Sequence, residues 1–154
     1  MKLLFNEHPN KGFQRVGYCS YYGEIFYALE EVCEVTSSCG VPSRTSEFGS
    51  GYDAIVMGFG HTDCGDSGPM ATINDNNIPL FPILNKEYTG LKQKLEWIKN
   101  MKPTAALTVH HDTEEYSKIT GVPFHRIMWS ANENLFKDYG CLLYTSDAAD
   151  DANC

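Results

Sequence analysis

Ile78-Pro79-Leu80-Phe81-Pro82-Ile83-Leu84 is a short apolar run, and the chain answers it twenty residues later with a second run, Ala105-Ala106-Leu107-Thr108-Val109. Between them, from Tyr88 onward, Leu91, Leu95, Ile98 and Met101 step through three helical turns until Pro103 stops the helix. A buried strand, an amphipathic helix and a second buried strand form the unit that builds parallel sheets, because parallel neighbours need a long crossover. Pro79 and Pro82 predict irregular pairing for the first of these strands, since proline has no N–H to give to a ladder.

The same alternation extends in both directions. Lys2 to Asn6 is an apolar run that reads as a buried strand, and Tyr18, Tyr22, Ile25, Phe26, Leu29, Val32 and Cys33 then recur at spacings of three and four on one helical face. Glu34 to Ser37 reads as a weak strand. Tyr52 to Gly58 is a stronger one, apolar enough to be buried on both faces. The intervening Gly40 to Gly51 is rich in Gly, Ser and Pro and offers no helix, so the topology of that link is left open. Beyond Val109, Glu114 and Glu115 suit a first helical turn and Gly121 a helix end, which predicts a short helix over Thr113 to Thr120. Phe124 to Trp129 follows as a sixth strand. The fold class is therefore α/β, a doubly wound, mostly parallel, Rossmann-like sheet of about six strands.

Composition narrows the function. A chain of 154 residues with 42% hydrophobic and 21% charged residues is globular, the size of one domain, and a formal charge of -8 without a basic stripe excludes a nucleic-acid backbone binder. No apolar run is long enough to span a bilayer, and Met1 to Phe5 is too short for a signal-peptide core, so no transmembrane segment and a cytoplasmic location are expected. The six cysteines, none in a Cys-x-x-Cys pair, read as free thiols.

Ligands of open parallel sheets collect at the carboxyl ends of the strands, where strand order reverses. Those ends carry the chemistry here: Glu7 and His8 after the first strand, His61, Asp63 and Asp66 after the third, Asn85, Lys86 and Glu87 after the fourth, His110, His111 and Asp112 after the fifth. Every histidine except His125 lies at a strand end. Imidazoles beside carboxylates suit general acid/base work and the binding of sugar hydroxyls. His61 and Asp63, on a long polar loop, are the expected acid/base residues; Glu7, His8, Asn85, Lys86, Glu87, His110, His111 and Asp112 are expected to bind substrate, with His8, Asn85 and Lys86 in a crevice between the first and fourth strands. No compact spacing such as His-Glu-x-x-His is present, so no metal is expected. Gly58-Phe59-Gly60 meets no phosphate-loop pattern and reads instead as a tight turn with close backbone approach.

Thr108-Val109-His110-His111-Asp112, a short helix, Gly121-Val122-Pro123, a strand, and Ser130-Ala131-Asn132-Glu133-Asn134-Leu135-Phe136 resemble the stretch of GT-B glycosyltransferases in which the N-terminal domain crosses to the second domain. With Asn85-Lys86-Glu87-Tyr88, the wider chain is similar to bacterial glycosyltransferase-like proteins related to spore-coat maturation enzymes. Asn132 stands where that family usually has Asp, and Trp129-Ser130 replaces its Pro-Asn-Gly region, so no hinge role is carried over to them.

The resemblance implies the acceptor-binding half of an enzyme that moves a sugar from a nucleotide-sugar to the hydroxyl of a carbohydrate or similar acceptor. The nucleotide-sugar would be held by a C-terminal domain that this chain lacks, so the chain alone is expected to be inactive. Residues 1–140 would form the domain. Residues 141–154 lack hydrophobic period and turn logic, and resemble the translation of a sequencing-library adapter; they are expected to be a disordered, non-native tail. Asp147, Asp150 and Asp151 of that tail carry three of the net negative charges.

Two other classes compete with this reading. A receiver-like or other free-standing α/β binding module would offer an acidic pair after the first strand, where Glu7 gives one acid. A small hydrolase using the strand-end histidines would need a nucleophile elbow, and Gly-x-Ser-x-Gly is absent.

Overall fold

Leu3 and Phe5 alternate with Leu4 along the first strand, and this period of two divides the protein into its two cores. The computed structural model describes residues 1–7, 24–62 and 72–128. Among them six strands form one parallel sheet: β1 (Lys2–Glu7), β2 (Glu34–Cys39), β3 (Ala54–Met57), β4 (Leu80–Leu84), β5 (Ala106–Thr108) and β6 (Phe124–Arg126). Their spatial order is β2-β1-β3-β4-β5-β6, and every neighbouring pair runs parallel. The expected doubly wound α/β sheet is thus present, with no antiparallel pairing among the described residues.

Helix α1 (Glu24–Glu30) covers one face, on which Leu3, Phe5, Val56 and Ile83 pack with Phe26. The Phe5 and Phe26 rings meet edge to face at 5.7 Å, the arrangement that aromatic quadrupoles favour. Helices α2 (Leu91–Met101) and α3 (Thr113–Thr120) cover the other face. There Leu95, Ile98, Met101 and Tyr116 close over Leu4, Ile55, Met57, Leu80, Leu84 and Phe124. α1 lies on the β1-to-β2 crossover and α2 and α3 on crossovers running the opposite way across the sheet, so right-handed connections put them on opposite faces. The aromatic-rich face proposed for the first helix is core as far as it is described; residues 8–23 lie outside the described residues.

Element ends follow local chemistry. α3 occupies the predicted span and ends on Gly121, whose φ of 74° is left-handed and whose N–H returns to Ser117 O at 2.9 Å. α2 ends at Met101, two residues before Pro103, with the intervening Lys102 left-handed at φ 53°. β2 runs further than the expected Glu34 to Ser37, because its pairing with β1 continues from Lys2↔Glu34 to Glu7↔Cys39. It is an edge strand, paired on one side only, so polar Ser37 and Ser38 are tolerated. Pro82 has the foreseen effect: pairing of β4 with β5 is confined to Ile83↔Leu107 and Leu84↔Thr108.

The link from β2 to β3 contains no α-helix, only a 3-10 turn, Thr45–Phe48. It is fastened instead to the segment leading into β4. Arg44 bridges Ile73, Thr45 N–H donates to Ile73 O at 3.0 Å, and the Ser46 hydroxyl and N–H donate to the Asp75 carboxylate at 2.7 and 2.9 Å. The Ser46 donors hold the Asp75 carboxyl below its usual range. These contacts knit the edge where β4 begins and leave the opposite edge to the strand-end residues. Among the described residues no helix is long and apolar enough to cross a membrane.

Candidate functional site

Because all six strands are parallel, their carboxyl ends fall on one edge. The chain leaves β1 toward β2 on one side and returns to β3 on the other, so strand order reverses between β1 and β3. The expected crevice between the first and fourth strands is corrected accordingly: β3 lies between them, and the reversal point is the β1–β3 boundary.

At that boundary stands Glu7, 1% exposed. Its carboxylate accepts the Gly60 N–H at 2.7 Å and lies directly on Gly58, where a Cβ would come within 2.2 Å of Oε2. The close backbone approach read from Gly58-Phe59-Gly60 is thus made to a buried carboxylate. Backbone bonds stitch the neighbouring ends together: Gly58 N–H to Asn6 O at 2.8 Å, and Gly40 N–H to Glu7 O at 3.1 Å. The Asn6 amide donates to Ser38 Oγ at 2.8 Å. Cys39, opposite Glu7 in register, has its thiol pushed up by burial and by the Glu7 charge.

A 3-10 turn, Phe59–Thr62, carries the site from β1 to β4. His61 lies within it and is 2% exposed, a more enclosed position than a rim loop suggests. Thr62 Oγ1 donates to Ile83 O at 2.9 Å and accepts the Asn85 N–H at 3.0 Å. Glu7, His61 and Asn85 are therefore joined through one buried turn. Behind them Lys94, 6% exposed, reaches from α2 and donates to Asn85 O at 2.7 Å and Lys86 O at 2.8 Å. Lys86 is left-handed at φ 53°, and its carbonyl is oriented to receive that ammonium.

A second cluster occupies the β4–β5 end. The Thr108 hydroxyl donates to the Glu87 carboxylate in a short bond and accepts the His110 N–H at 3.2 Å. His110 Nδ1 lies 3.1 Å from Asp112 Oδ2 and 3.1 Å from the Tyr116 hydroxyl, and the His111 ring is 5.5 Å from that of His110. Burial first, and then the charges of Glu87, Asp112 and Glu115, push the Tyr116 phenol from 10.0 up to about 12.

A phenol becomes charged when it loses its proton, so its raised value gives a stabilisation that is complete below pH 10 and lost as pH rises through about 12. Phenolate absorbance of wild type minus Tyr116→Phe should accordingly develop only in that upper range. A difference developing around pH 10 would contradict the cluster's electrostatics.

Of the residues singled out in the sequence, Glu7, His61 and Asn85 are linked through the Phe59–Thr62 turn, Lys86 borders it, and Glu87, His110, His111 and Asp112 form a second cluster. His8, Asp63, Asp66 and the motif from Ser130 to Phe136 lie outside the described residues. Sequence reasoning missed Asn6, Thr62, Lys94, Thr108 and Tyr116. Lys94 left a usable signal, since it sits on the apolar stripe of α2 beside Leu91, Leu95 and Ile98. Among the described residues no group of three or more His, Cys, Asp or Glu could hold a metal ion. A separate groove of about 330 Å³ between α2 and α3, lined by Leu91, Leu95 and Ile119 among others, contains none of these groups.

Fold and site define an open, all-parallel, Rossmann-like α/β protein with a polar site at its strand-order reversal. Comparison with known families, curated proteins and solved structures gave no match.

Proposed function

We propose that this chain is the acceptor-binding half of a glycosyltransferase that moves a sugar from a nucleotide-sugar to an acceptor hydroxyl, the donor being held by a second domain. The family reading rests on the likeness of Thr108 to Asp112 and the segments after it to GT-B enzymes. The observation that carries a hydroxyl-rich ligand is the buried Glu7 carboxylate on the Gly60 N–H, joined through one turn to His61 and Asn85 at the strand-order reversal. A carboxylate, an amide and an imidazole carried on one turn and its neighbouring strand ends are the group types that complement a polyol, whose hydroxyls both donate and accept.

In this reading His61, with Asp63, is the acid/base group nearest the reacting hydroxyl. Glu7, His8, Asn85, Lys86, Glu87, His110, His111 and Asp112 line the acceptor's path. Charge stabilisation at the departing phosphate belongs to the other half, so positioning without it yields no transfer.

Amide spectra of the chain titrated with a panel of saccharides, and separately with nucleotide-sugars, test this. Saccharides are expected to move Gly60, Asn85 and His110, nucleotide-sugars are expected to leave them in place, and no nucleotide-sugar should be turned over. Movement of these amides by nucleotide-sugars alone, or turnover above an enzyme-free control, would sink the assignment.

A further inference from the structure

Asp112 occupies the N-cap position of α3, yet its side chain makes no capping bond to the helix. An aspartate there ordinarily accepts a backbone N–H of the first turn. Its carboxylate instead lies 3.1 Å from His110 Nδ1. The Tyr116 hydroxyl also lies 3.1 Å from that nitrogen, and its ring stacks on the imidazole at 5.9 Å. One nitrogen of His110 is thus engaged by two side chains, one from α3 and one from its N-cap, while the side chain as a whole stays 41% exposed.

Those distances favour one tautomer. A carboxylate offers only lone pairs, so its approach to Nδ1 is favourable when that nitrogen carries the proton. Tyr116, whose phenol is held protonated, could instead donate to a bare Nδ1, but the Asp112 oxygen would then face the Nδ1 lone pair. With the proton on Nδ1, Nε2 has a lone pair to offer. The other groups around the ring are His111 beside it and Glu87, linked through Thr108 to the His110 backbone N–H.

We propose that His110, in the cluster at the β4–β5 end, is the alternative to His61 as proton acceptor, held by Asp112 in the tautomer that presents an unprotonated Nε2 to a ligand hydroxyl. Asp112 is a positioning residue: it orients the ring and offsets the charge of the imidazolium. In transfer, the hydroxyl O–H bond breaks as its proton passes to Nε2. The oxygen keeps the electron pair and bonds to the anomeric carbon of the activated sugar, and the phosphate leaves with the electrons of the broken C–O bond. The imidazolium returns its proton to solvent. The assignment of this role rests on the hydroxyl-binding reading above, whereas the Asp112-fixed tautomer does not.

Long-range proton–nitrogen correlation of the imidazoles, recorded on the full chain, separates the possibilities. Wild type is expected to show His110 protonated on Nδ1 and bare on Nε2. In Asp112→Asn the Nε2-protonated form should gain population, Asp112→Glu should recover part of the original signature, and Tyr116→Phe should leave it unchanged. Diethyl pyrocarbonate, which acylates a bare imidazole nitrogen, should modify His110 severalfold more slowly in Asp112→Asn than in wild type. Asp112 is half-exposed, and unchanged amide signals from Ile55 and Leu80 in the core confirm that the variant folds.

A wild-type ring protonated on Nε2, an unchanged tautomer and reactivity in Asp112→Asn, or a signature that flips only in Tyr116→Phe would each overturn the proposal. Saccharide titration keeps its fate distinct from that of the proposed function. If the tautomer stands and Asp112→Asn weakens saccharide binding, both hold. If the tautomer stands but no saccharide moves the His110 signals, the hydroxyl-acceptor role is lost with that reading and only the oriented imidazole remains.

Discussion

Gly58→Ala is expected to be among the most damaging single-methyl additions this protein can receive. A Cβ at Gly58 would lie 2.2 Å from Glu7 Oε2 and 2.8 Å from Glu7 Cδ, both closer than atoms tolerate. The carboxylate has little room to yield, being 1% exposed and bonded to the Gly60 N–H. Overpacking of this kind costs about 1–3 kcal/mol, and displacement of a buried carboxylate from its donor adds about 1–3 kcal/mol more. Urea unfolding should therefore show a large fall in the midpoint. The cause can be isolated in the Glu7→Ala background, where the obstructing carboxylate is gone and the added methyl should cost far less than in wild type. Equal costs in the two backgrounds would mean that the glycine serves the turn by itself rather than the carboxylate.

Lys94→Met should loosen the β4 end of the site. Lys94 is buried and gives its ammonium to the carbonyls of Asn85 and Lys86 at 2.7 and 2.8 Å. Two effects oppose each other. Methionine removes the cost of burying a charge, but it leaves both carbonyls without a charged donor, and such bonds are worth about 1.5–3 kcal/mol each. The second effect wins because the acceptors are backbone groups that stay in place, so a net loss of about 1–3 kcal/mol is expected. Its local signature is hydrogen exchange. The Asn85 amide, bonded to Thr62, and the Thr89 amide, bonded to Lys86 O, should exchange faster by more than the global destabilisation explains. Protection at both that falls only in step with core amides such as Ile55 would show that Lys94 stabilises the whole and does not hold this loop.

These two residues show where sequence reading succeeds and where it stops. The i, i+3, i+4 spacing of Leu91, Leu95, Ile98 and Met101 locates α2 and its buried stripe, and Gly121 locates the end of α3. A periodic pattern needs only the geometry of one element, and a left-handed cap needs only the residue that tolerates it. The parallel class followed from the alternation of strands and helices, which in turn placed the candidate residues on one edge. The close approach at Gly58 was legible as a glycine's property, but its object, the Glu7 carboxylate, was not.

What the tertiary structure decided is non-local. The adjacency of β1 to β3, which moves the reversal point from the expected first-to-fourth boundary, depends on how a helix-free link crosses the sheet. Its path is fixed by Ser46 and Asp75, 29 residues apart in sequence. Lys94 on an apolar stripe and Asp112 at a helix N-terminus each have an ordinary local reading, a solvated charge and a cap. Lys94 is overridden because a better partner, the carbonyls after β4, meets it once α2 packs against the sheet, whereas Asp112 gives up the cap to an imidazole only two residues away. Composition and period thus fixed which faces are buried; which polar groups then meet at the strand ends was decided by strand order, since no residue's own spacing encodes its neighbour across a sheet.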